Sequence, residues 1–134
     1  MLRIESVREQ DFLEIDPPVE PTERLTLMQW VKMGPAFTGF LPDGKILGVA
    51  GIAIVSPNYG HAWLIASQYV EKYPKLFNRT VVSFLREIIE SKHLTYIQAI
   101  VDPKVSRNCR WIERLGFSLE RYLYVLKPGD NHGT

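Results

Sequence analysis

Three basic side chains lie close together in the sequence at the point where a turn passes into a helical pattern. Lys72, Lys75 and Arg79 all fall in the segment QYVEKYPKLFNRT, in which Pro74 begins the helix. A helix N-terminus presents free N–H groups and partial positive charge, and lysine and arginine bind phosphate as a point charge or as a fork. The same side chains are also typical of a solvated helix start. The pattern therefore indicates either a diphosphate site or an ordinary charged surface.

Candidates for proton transfer and nucleophilic chemistry are few. His61 opens a predicted strand, and the choice between a general base and a surface residue stays open, since a lone histidine beside a Tyr-Gly turn is typical of the surface. Asp102 precedes a proline and fits a turn at a strand end, and Glu71 fits a solvated position. Cys109 lies on the apolar side of a helical pattern, which favours a small core residue over a nucleophile.

The bulk composition excludes several classes of protein. The 134 residues suffice for one domain, predicted over 1–128 with a polar tail over 129–134. A formal net charge of +1 gives no support for nucleic-acid or membrane binding. A single cysteine excludes an internal disulfide and a cysteine-rich zinc site, and no metal is expected. The start MLRIESVREQ lacks a secretory apolar stretch, so we expect a cytoplasmic protein.

The hydrophobic periodicity and the Gly and Pro residues divide the chain into ten elements. Thr22 is the predicted cap of the second helix, and Asp43-Gly44 predicts a hairpin turn. The predicted elements are, in order, a strand over RIESV, helices over EQDFLEI and TERLTLMQWVKM, strands over AFTGF, KILGVAGIAIV and HAWLIAS, a helix from Pro74 to about Ser91, a strand over TYIQAIVD, a helix capped by Ser106, and a last strand or strand pair over FSLERYLYVLK.

The order β-α-α-β-β-β-α-β-α-β predicts an α/β (α+β) fold. An antiparallel first half is followed by strand–helix–strand crossovers, so we expect a mixed, mostly antiparallel central sheet with helices on both faces. KILGVAGIAIV is apolar at consecutive positions, which predicts a central strand covered on both sides. Phe77, Val81, Leu85 and Ile88 recur at helical spacing and predict the buried stripe of the third helix.

This order of elements, with RWIERLGF at residues 110–117 and RIESVREQDF near the start, resembles the GCN5-related N-acetyltransferase (GNAT) family. Members typically have a helix carrying an aromatic residue, followed by a Leu-Gly-Phe turn into a strand. The combination of AWLIASQYV, a helix and RWIERLGF is also similar to small phage proteins of this fold, including podovirus internal virion proteins. The resemblance implies an acetyl-CoA-dependent enzyme that transfers the acetyl group directly to an amine.

The resemblance also implies where acetyl-CoA binds. In this fold the fourth and fifth strands splay apart, the pantetheine arm lies along the fourth strand, and backbone N–H groups hold the developing oxyanion and the pyrophosphate. The implied cofactor-binding residues are Leu64, Ile65, Ala66, Ser67, Lys72, Lys75, Phe77, Asn78, Arg79 and Asn108. The acceptor pocket of the fold lies between the first two helices and the last strands, whose aromatic residues here are either pocket or core: Trp30, Phe37, Phe40, Tyr122 and Tyr124.

The sequence departs from the family pattern at two places. The phosphate loop normally contains glycines, but this chain has none between Gly60 and Gly116. The tyrosine that often acts as the acid corresponds to Ile112, and a frequent asparagine corresponds to Val105, with Asn108 one turn later. Tyr122 or Tyr124 is the remaining candidate acid, and the spacing does not choose between them.

Two functions therefore stay open. The first is a GNAT-type N-acetyltransferase whose acceptor is a small-molecule or protein amine. The second is a non-catalytic protein of the same fold, with a degenerate cofactor loop and a phage or host protein as its partner, in the host cytoplasm or associated with a virion. The missing glycines and Ile112 favour the second function, while the order of elements fits either.

Overall fold

The computed structural model describes residues 2–100, 118–120 and 123–126. In these ranges the elements are β1 (Arg3–Ser6), α1 (Glu9–Glu14), α2 (Pro21–Val31), β2 (Ala36–Phe40), β3 (Ile46–Ser56), β4 (Tyr59–Ala66), a 3-10 helix (Gln68–Lys72), α3 (Pro74–Lys92), β5 (Tyr96–Ile100), β6 (Ser118–Glu120) and β7 (Leu123–Leu126). The helix predicted from Ser106 lies outside the described residues, as do the Gly-Phe turn and the predicted tail. The complete order of elements therefore stays a prediction.

The strands form one sheet in the order β1-β2-β3-β4-β5-β7-β6. Every described pair is antiparallel except β4 with β5. Parallel neighbours need a crossover connection, and the 19-residue helix α3 provides it between these two strands. The predicted mixed, mostly antiparallel sheet is confirmed.

Two local predictions have different outcomes. Gly44 has φ 90° and the Lys45 N–H donates to Asp43 Oδ1 at 3.0 Å, so the predicted β2–β3 turn is present. Thr22, however, is not the cap of α2, because that helix begins one residue earlier at Pro21, with Glu20 at the N-cap position. Proline at the first helical position has the correct φ and no N–H to satisfy, which shifts the start of the helix.

The core has a layer on each face of the sheet. The first eight residues of β3 are buried, so the prediction of a central strand covered on both sides is confirmed. The predicted stripe of α3 is buried on one face, where it packs with Leu47 and Ile52. The opposite face is covered by α1 and α2 and has its own cluster, which includes Phe12, Ile15, Leu27, Phe40, Ile46, Val49 and Trp63.

A buried polar link fixes α1 against the sheet. The Asp11 carboxylate is fully buried, and it accepts hydrogen bonds from Thr38 Oγ1 at 2.7 Å and from Arg8 Nη2 at 3.0 Å. The Arg8 backbone N–H also donates to this carboxylate at 3.0 Å. These bonds compensate the loss of hydration at Asp11 and set the position of α1 over β2. Within the described residues, no helix has the length and apolar character needed to cross a membrane.

Candidate functional site

The strands β4 and β5 are paired over only a short part of their length. Tyr59, Gly60 and His61 pair with Tyr96, Ile97 and Gln98, and no further pairing is found in the described residues although β4 continues to Ala66. The stacked rings of Tyr59 and Tyr96, with centroids 5.1 Å apart, join the two strands at their first residues. Among the described residues, the edge of β4 is therefore paired at its start and unpaired after His61.

The direction of the backbone groups of β4 follows from its pairing with β3. The Ser67 N–H donates to Leu47 O at 3.0 Å, and in an antiparallel pair alternate residues turn their backbone groups to the same neighbour. Ile65 shares this register with Val49, so its N–H and C=O face β3. Leu64 and Ala66 have the opposite phase and face the open side next to β5. Among the three predicted cofactor residues of this strand, Leu64 and Ala66 present backbone groups to the gap, whereas Ile65 does not.

A 3-10 helix occupies the loop where the family pattern has glycines. The Gln68 N–H donates to Asp16 O at 2.9 Å, the Val70 N–H to Ser67 O at 3.3 Å and the Tyr73 N–H to Val70 O at 3.0 Å. The Tyr69 N–H donates to Ser67 Oγ at 3.2 Å, so Ser67 caps this helix and is itself buried. These N–H groups are bonded within the protein. Any phosphate at this loop must therefore be held mainly by side chains and by the first turn of α3.

The predicted basic side chains lie at that position. Lys72, Lys75 and Arg79 are exposed, and none of them forms an ion pair with a described residue. The first turn of α3 contains no acidic residue, and its N-cap residue, Tyr73, makes no side-chain cap. The start of α3 therefore combines free N–H groups with cations that lack a counter-ion in the described part of the chain.

Two other predicted cofactor residues differ in position on α3. Phe77 is 4% exposed, and its ring packs over Gly48 of β3 in the core. Asn78 is half-buried, and its Oδ1 has no hydrogen-bond partner among the described residues. Asn78 and Arg79 begin an open groove of about 610 Å³ that follows α3 to Glu90. Asn108 lies outside the described residues.

His61 is the candidate base at the point where β4 leaves β5. Its side chain is only 8% exposed, so the interpretation of His61 as a surface residue is wrong. The Trp30 ring of α2 contacts the imidazole edge to face at a centroid distance of 4.7 Å, which a sequence pattern does not show. Burial lowers the pKa of His61 below its ordinary value. The imidazole is therefore neutral at neutral pH and can accept a proton.

The aromatic residues predicted for the acceptor pocket do not share one face. Trp30 and Phe40 belong to the layer of α1 and α2, whereas Phe37 lies on the α3 face, where its ring stacks on Phe84 at 4.1 Å. Phe37 is therefore a core residue away from His61. Tyr124 belongs to β7, which pairs with β5, while Tyr122 lies outside the described residues.

The connection between α1 and α2 is tied to the loop after β4. The Asp16 carboxylate accepts hydrogen bonds from Gln68 Nε2 and from the Tyr69 hydroxyl, the latter at 3.3 Å. Together with the Gln68 N–H bond to Asp16 O, these contacts connect the segment between α1 and α2 to the loop before α3. No local pattern of residues indicates this connection.

The remaining candidates are metal ligands and four residues between positions 102 and 112. Within those residues, no cluster of three or more His, Cys, Asp or Glu side chains is arranged to hold a metal ion. Asp102, Val105, Cys109 and Ile112 lie outside the described residues. Their predicted roles stay predictions.

Comparison with known proteins adds to this geometry. No protein-family model matches the sequence, and no curated protein matches it. Among solved structures, the ribosomal-protein-S5-alanine acetyltransferase from Vibrio fischeri is similar at 14% identity and a TM-score of 0.66, with 96% of this chain and 94% of that chain covered. A GNAT-family acetyltransferase from Bacillus anthracis gives 14% identity, a TM-score of 0.71 and 96% coverage of both chains.

An acetyltransferase of the GNAT family from Staphylococcus aureus Mu50 gives 10% identity and a TM-score of 0.71, with 95% of this chain and 99% of that chain covered. At these identities the likeness concerns the fold. The narrower resemblance to phage proteins stays a prediction. The resemblance to GNAT proteins is confirmed at the level of architecture, and the chain has the fold of the GNAT-family acetyltransferases.

Proposed function

We propose that this protein is an acetyl-CoA-dependent N-acetyltransferase that transfers the acetyl group directly to an amine. The observation that carries the proposal is the unpaired edge of β4: among the described residues, β4 pairs with β5 only up to His61, although the strand continues to Ala66. An open strand edge can bond an extended chain that bears amide groups, as in β-strand addition. The pantetheine arm of acetyl-CoA is such a chain.

The residues present suit acetyl-CoA, with phosphate contacts that differ from those of the family pattern. The backbone N–H and C=O of Leu64, which face the open side, suit the amides of the pantetheine arm. Lys72, Lys75 and Arg79, with the first turn of α3, suit the phosphates and would compensate for the N–H groups that the 3-10 helix uses internally. Acetyl-CoA, when bound, supplies an activated acetyl group on a thiol leaving group.

The catalytic role of the chain's own residues centres on His61. Its neutral imidazole would take the proton from the attacking amine nitrogen, directly or through one water. A backbone N–H on the open edge of β4 would stabilise negative charge that develops on the acetyl oxygen. Tyr122 or Tyr124 is our candidate for returning a proton to the thiolate. The acceptor is a small-molecule or protein amine.

A second function keeps one specific observation in its favour. The N–H groups of Gln68, Tyr69, Val70 and Tyr73 are bonded within the protein, so the usual backbone cradle for phosphate is closed. A non-catalytic GNAT-fold protein with a phage or host protein as partner would have no need of that cradle. Binding of acetyl-CoA discriminates between the two functions.

The first experiment is a thermal shift measurement with acetyl-CoA and with CoA. A ligand that binds the folded state raises the melting temperature by mass action, and a concentration of 100 times the dissociation constant adds about 2.7 kcal/mol of stability. For a domain of this size we expect a rise of several degrees. No rise at millimolar acetyl-CoA would refute the enzymatic proposal and favour the second function.

A charge-removal experiment tests the proposed phosphate contacts. Replacing Lys75→Ala together with Arg79→Ala should weaken acetyl-CoA binding at least about tenfold, because charge-assisted bonds to phosphate are lost. Lys92→Ala is the matched control, since it removes one positive charge from the last turn of the same helix. Isothermal titration calorimetry would give the three dissociation constants. Equal affinity of the double variant and the control would contradict the phosphate contacts.

A further inference from the structure

The first strand has one side that no described strand covers. β1 stands at the end of the strand order, and within the described ranges it pairs with β2 alone. An edge strand presents a row of backbone N–H and C=O groups that can pair with another chain, and charged side chains commonly restrict such pairing. Two of the four residues of β1, Arg3 and Glu5, are charged. The position of these charges determines which chain the edge accepts.

The pairing of β2 with β3 shows which backbone groups of β1 point outward. The Ile52 N–H donates to Pro35 O at 3.0 Å, so Pro35 turns its carbonyl to β3. Backbone groups alternate along an antiparallel strand, so Thr38 turns its own groups to β1, where its partner is Glu5. Ile4 has the opposite phase. The N–H and C=O of Ile4 therefore point away from the sheet.

The side chains at this edge are held in two rows, one on each face of the sheet. The Arg3 guanidinium lies over the Phe40 ring at 4.6 Å, on the face covered by α1 and α2, and Arg3 Nε donates to Glu5 Oε2 at 2.9 Å. Leu2 and Ile4 are half-buried on the opposite face, where they pack against the layer of α3. The charged row is thus positioned by contacts within the chain, although both of its side chains are exposed.

A second copy of the chain matches this pattern in one register. When two β1 strands pair antiparallel about a two-fold axis at Ile4, the Ile4 N–H of each copy donates to the Ile4 carbonyl of the other. Arg3 then lies opposite Glu5 of the second copy, and Glu5 lies opposite its Arg3. Opposite charges directly across a strand pair are stabilising.

The other simple registers are opposed by the same charges. An antiparallel shift of two residues places Arg3 opposite Arg3 or Glu5 opposite Glu5, and in-register parallel pairing places both like pairs side by side. Like charges in these positions are destabilising. The pattern of β1 therefore excludes most strand partners and accepts its own copy.

We propose that β1 is a self-recognition edge through which two copies of this chain form a symmetric dimer with one continuous sheet. The interface is short, because four residues at about 3.4 Å each extend over only about 14 Å. Stable interfaces commonly bury about 1,200–2,000 Å², so we expect a weak and reversible dimer. The proposal does not depend on acetyl-CoA, since neither the unpaired part of β4 nor the start of α3 contributes to this edge.

The test is a cycle of charge reversals, measured by sedimentation velocity from about 1 μM to about 1 mM protein. Arg3→Glu and Glu5→Arg each place like charges across the axis, so each should weaken self-association at least about tenfold. The double variant Arg3→Glu/Glu5→Arg has the wild-type net charge and opposite charges across the axis. It should associate like the wild type. Lys92→Glu, at an exposed position in the last turn of α3, is the control for the change in net charge.

A mixture of the two single variants separates contacts between copies from contacts within one chain. Both variants lose the Arg3–Glu5 ion pair of the chain, so each alone should stay largely monomeric. Their mixture again places opposite charges across the axis, and we expect a heterodimer with about the wild-type affinity. A mixture that associates no better than its components would contradict the register.

Amide hydrogen exchange, followed by NMR at low and high protein concentration, locates the interface. The Ile4 N–H should gain protection as the concentration rises, whereas the Glu5 N–H, which faces β2, should be protected throughout. A monomer over the whole concentration range overturns the proposal, as does association that the charge reversals leave unchanged. Protection of the Ile4 N–H at every concentration also overturns it, because another segment of the same chain would then cover this edge.

Discussion

The burial of His61 makes the stability of the protein depend on pH in a defined direction. Because burial lowers the pKa of the folded imidazole, the unfolded chain binds a proton more readily than the folded chain below the ordinary histidine pKa of about 6.5. The free energy of unfolding should therefore fall as the pH decreases from 7 toward the folded pKa. One such proton gives a maximum slope of about 1.4 kcal/mol per pH unit.

The variant His61→Phe isolates this contribution. Phenylalanine does not titrate and retains a ring against Trp30. The variant should therefore lack the part of the slope of unfolding free energy against pH that His61 contributes. Urea unfolding at constant ionic strength, at several values between pH 5 and pH 7.5, gives the free energies. The matched control is His93→Asn, which changes an exposed histidine at the left-handed C-cap of α3 to a residue that tolerates positive φ. The contribution of His61 to the pH dependence of the free energy of unfolding should remain in His93→Asn, as in the wild type.

Parallel curves for the wild type and His61→Phe over this range would refute the reasoning. The same lowered pKa predicts how catalysis responds to acid. If His61 is the base, acetyl transfer should persist to a lower pH than an ordinary histidine would allow, because the imidazole stays unprotonated there.

Two further predictions concern residues that hold the site in position. A Cβ at Gly48 would lie 2.6 Å from Phe77 Cε2. Gly48→Ala should therefore lower the free energy of unfolding by about 1–3 kcal/mol and also weaken acetyl-CoA binding, measured by urea unfolding and calorimetry; unchanged values would contradict the close packing of α3 on β3. Asp11→Ala removes the acceptor of the buried Thr38 hydroxyl and should cost about 1–3 kcal/mol in urea unfolding. A loss close to zero would show that this carboxylate does not fix α1.

The regular elements of the described chain could be predicted because their signals are local. The helical spacing of Phe77, Val81, Leu85 and Ile88 identified the buried face of α3, and the Asp43-Gly44 pair identified the β2–β3 turn. The consecutive apolar residues of β3 indicated that both of its faces are covered. In each case the residues that determine the structure lie within one element or one turn.

The site was less predictable because its determinants are contacts between distant elements. The burial of His61 depends on Trp30, which precedes it by 31 positions in the sequence and meets it only when α2 packs on the sheet. The 3-10 helix after β4 is held partly by Asp16, which has no local relation to Gln68. The basic residues were found in sequence, but their lack of counter-ions in the described chain is a property of the folded surface.

The connection through Asp16 has a thermodynamic consequence for ligands that bind on its two sides. One carboxylate holds Gln68 and Tyr69, which precede the start of α3, and it belongs to the segment that joins α1 and α2. A ligand that tightens either side thereby restricts the other, and such coupling is reciprocal. Occupancy at the α3 terminus and occupancy beneath α2 would then change each other's affinity by the same factor. A short loop helix that closes the usual phosphate cradle would in this way transmit the state of one half of the cleft to the other.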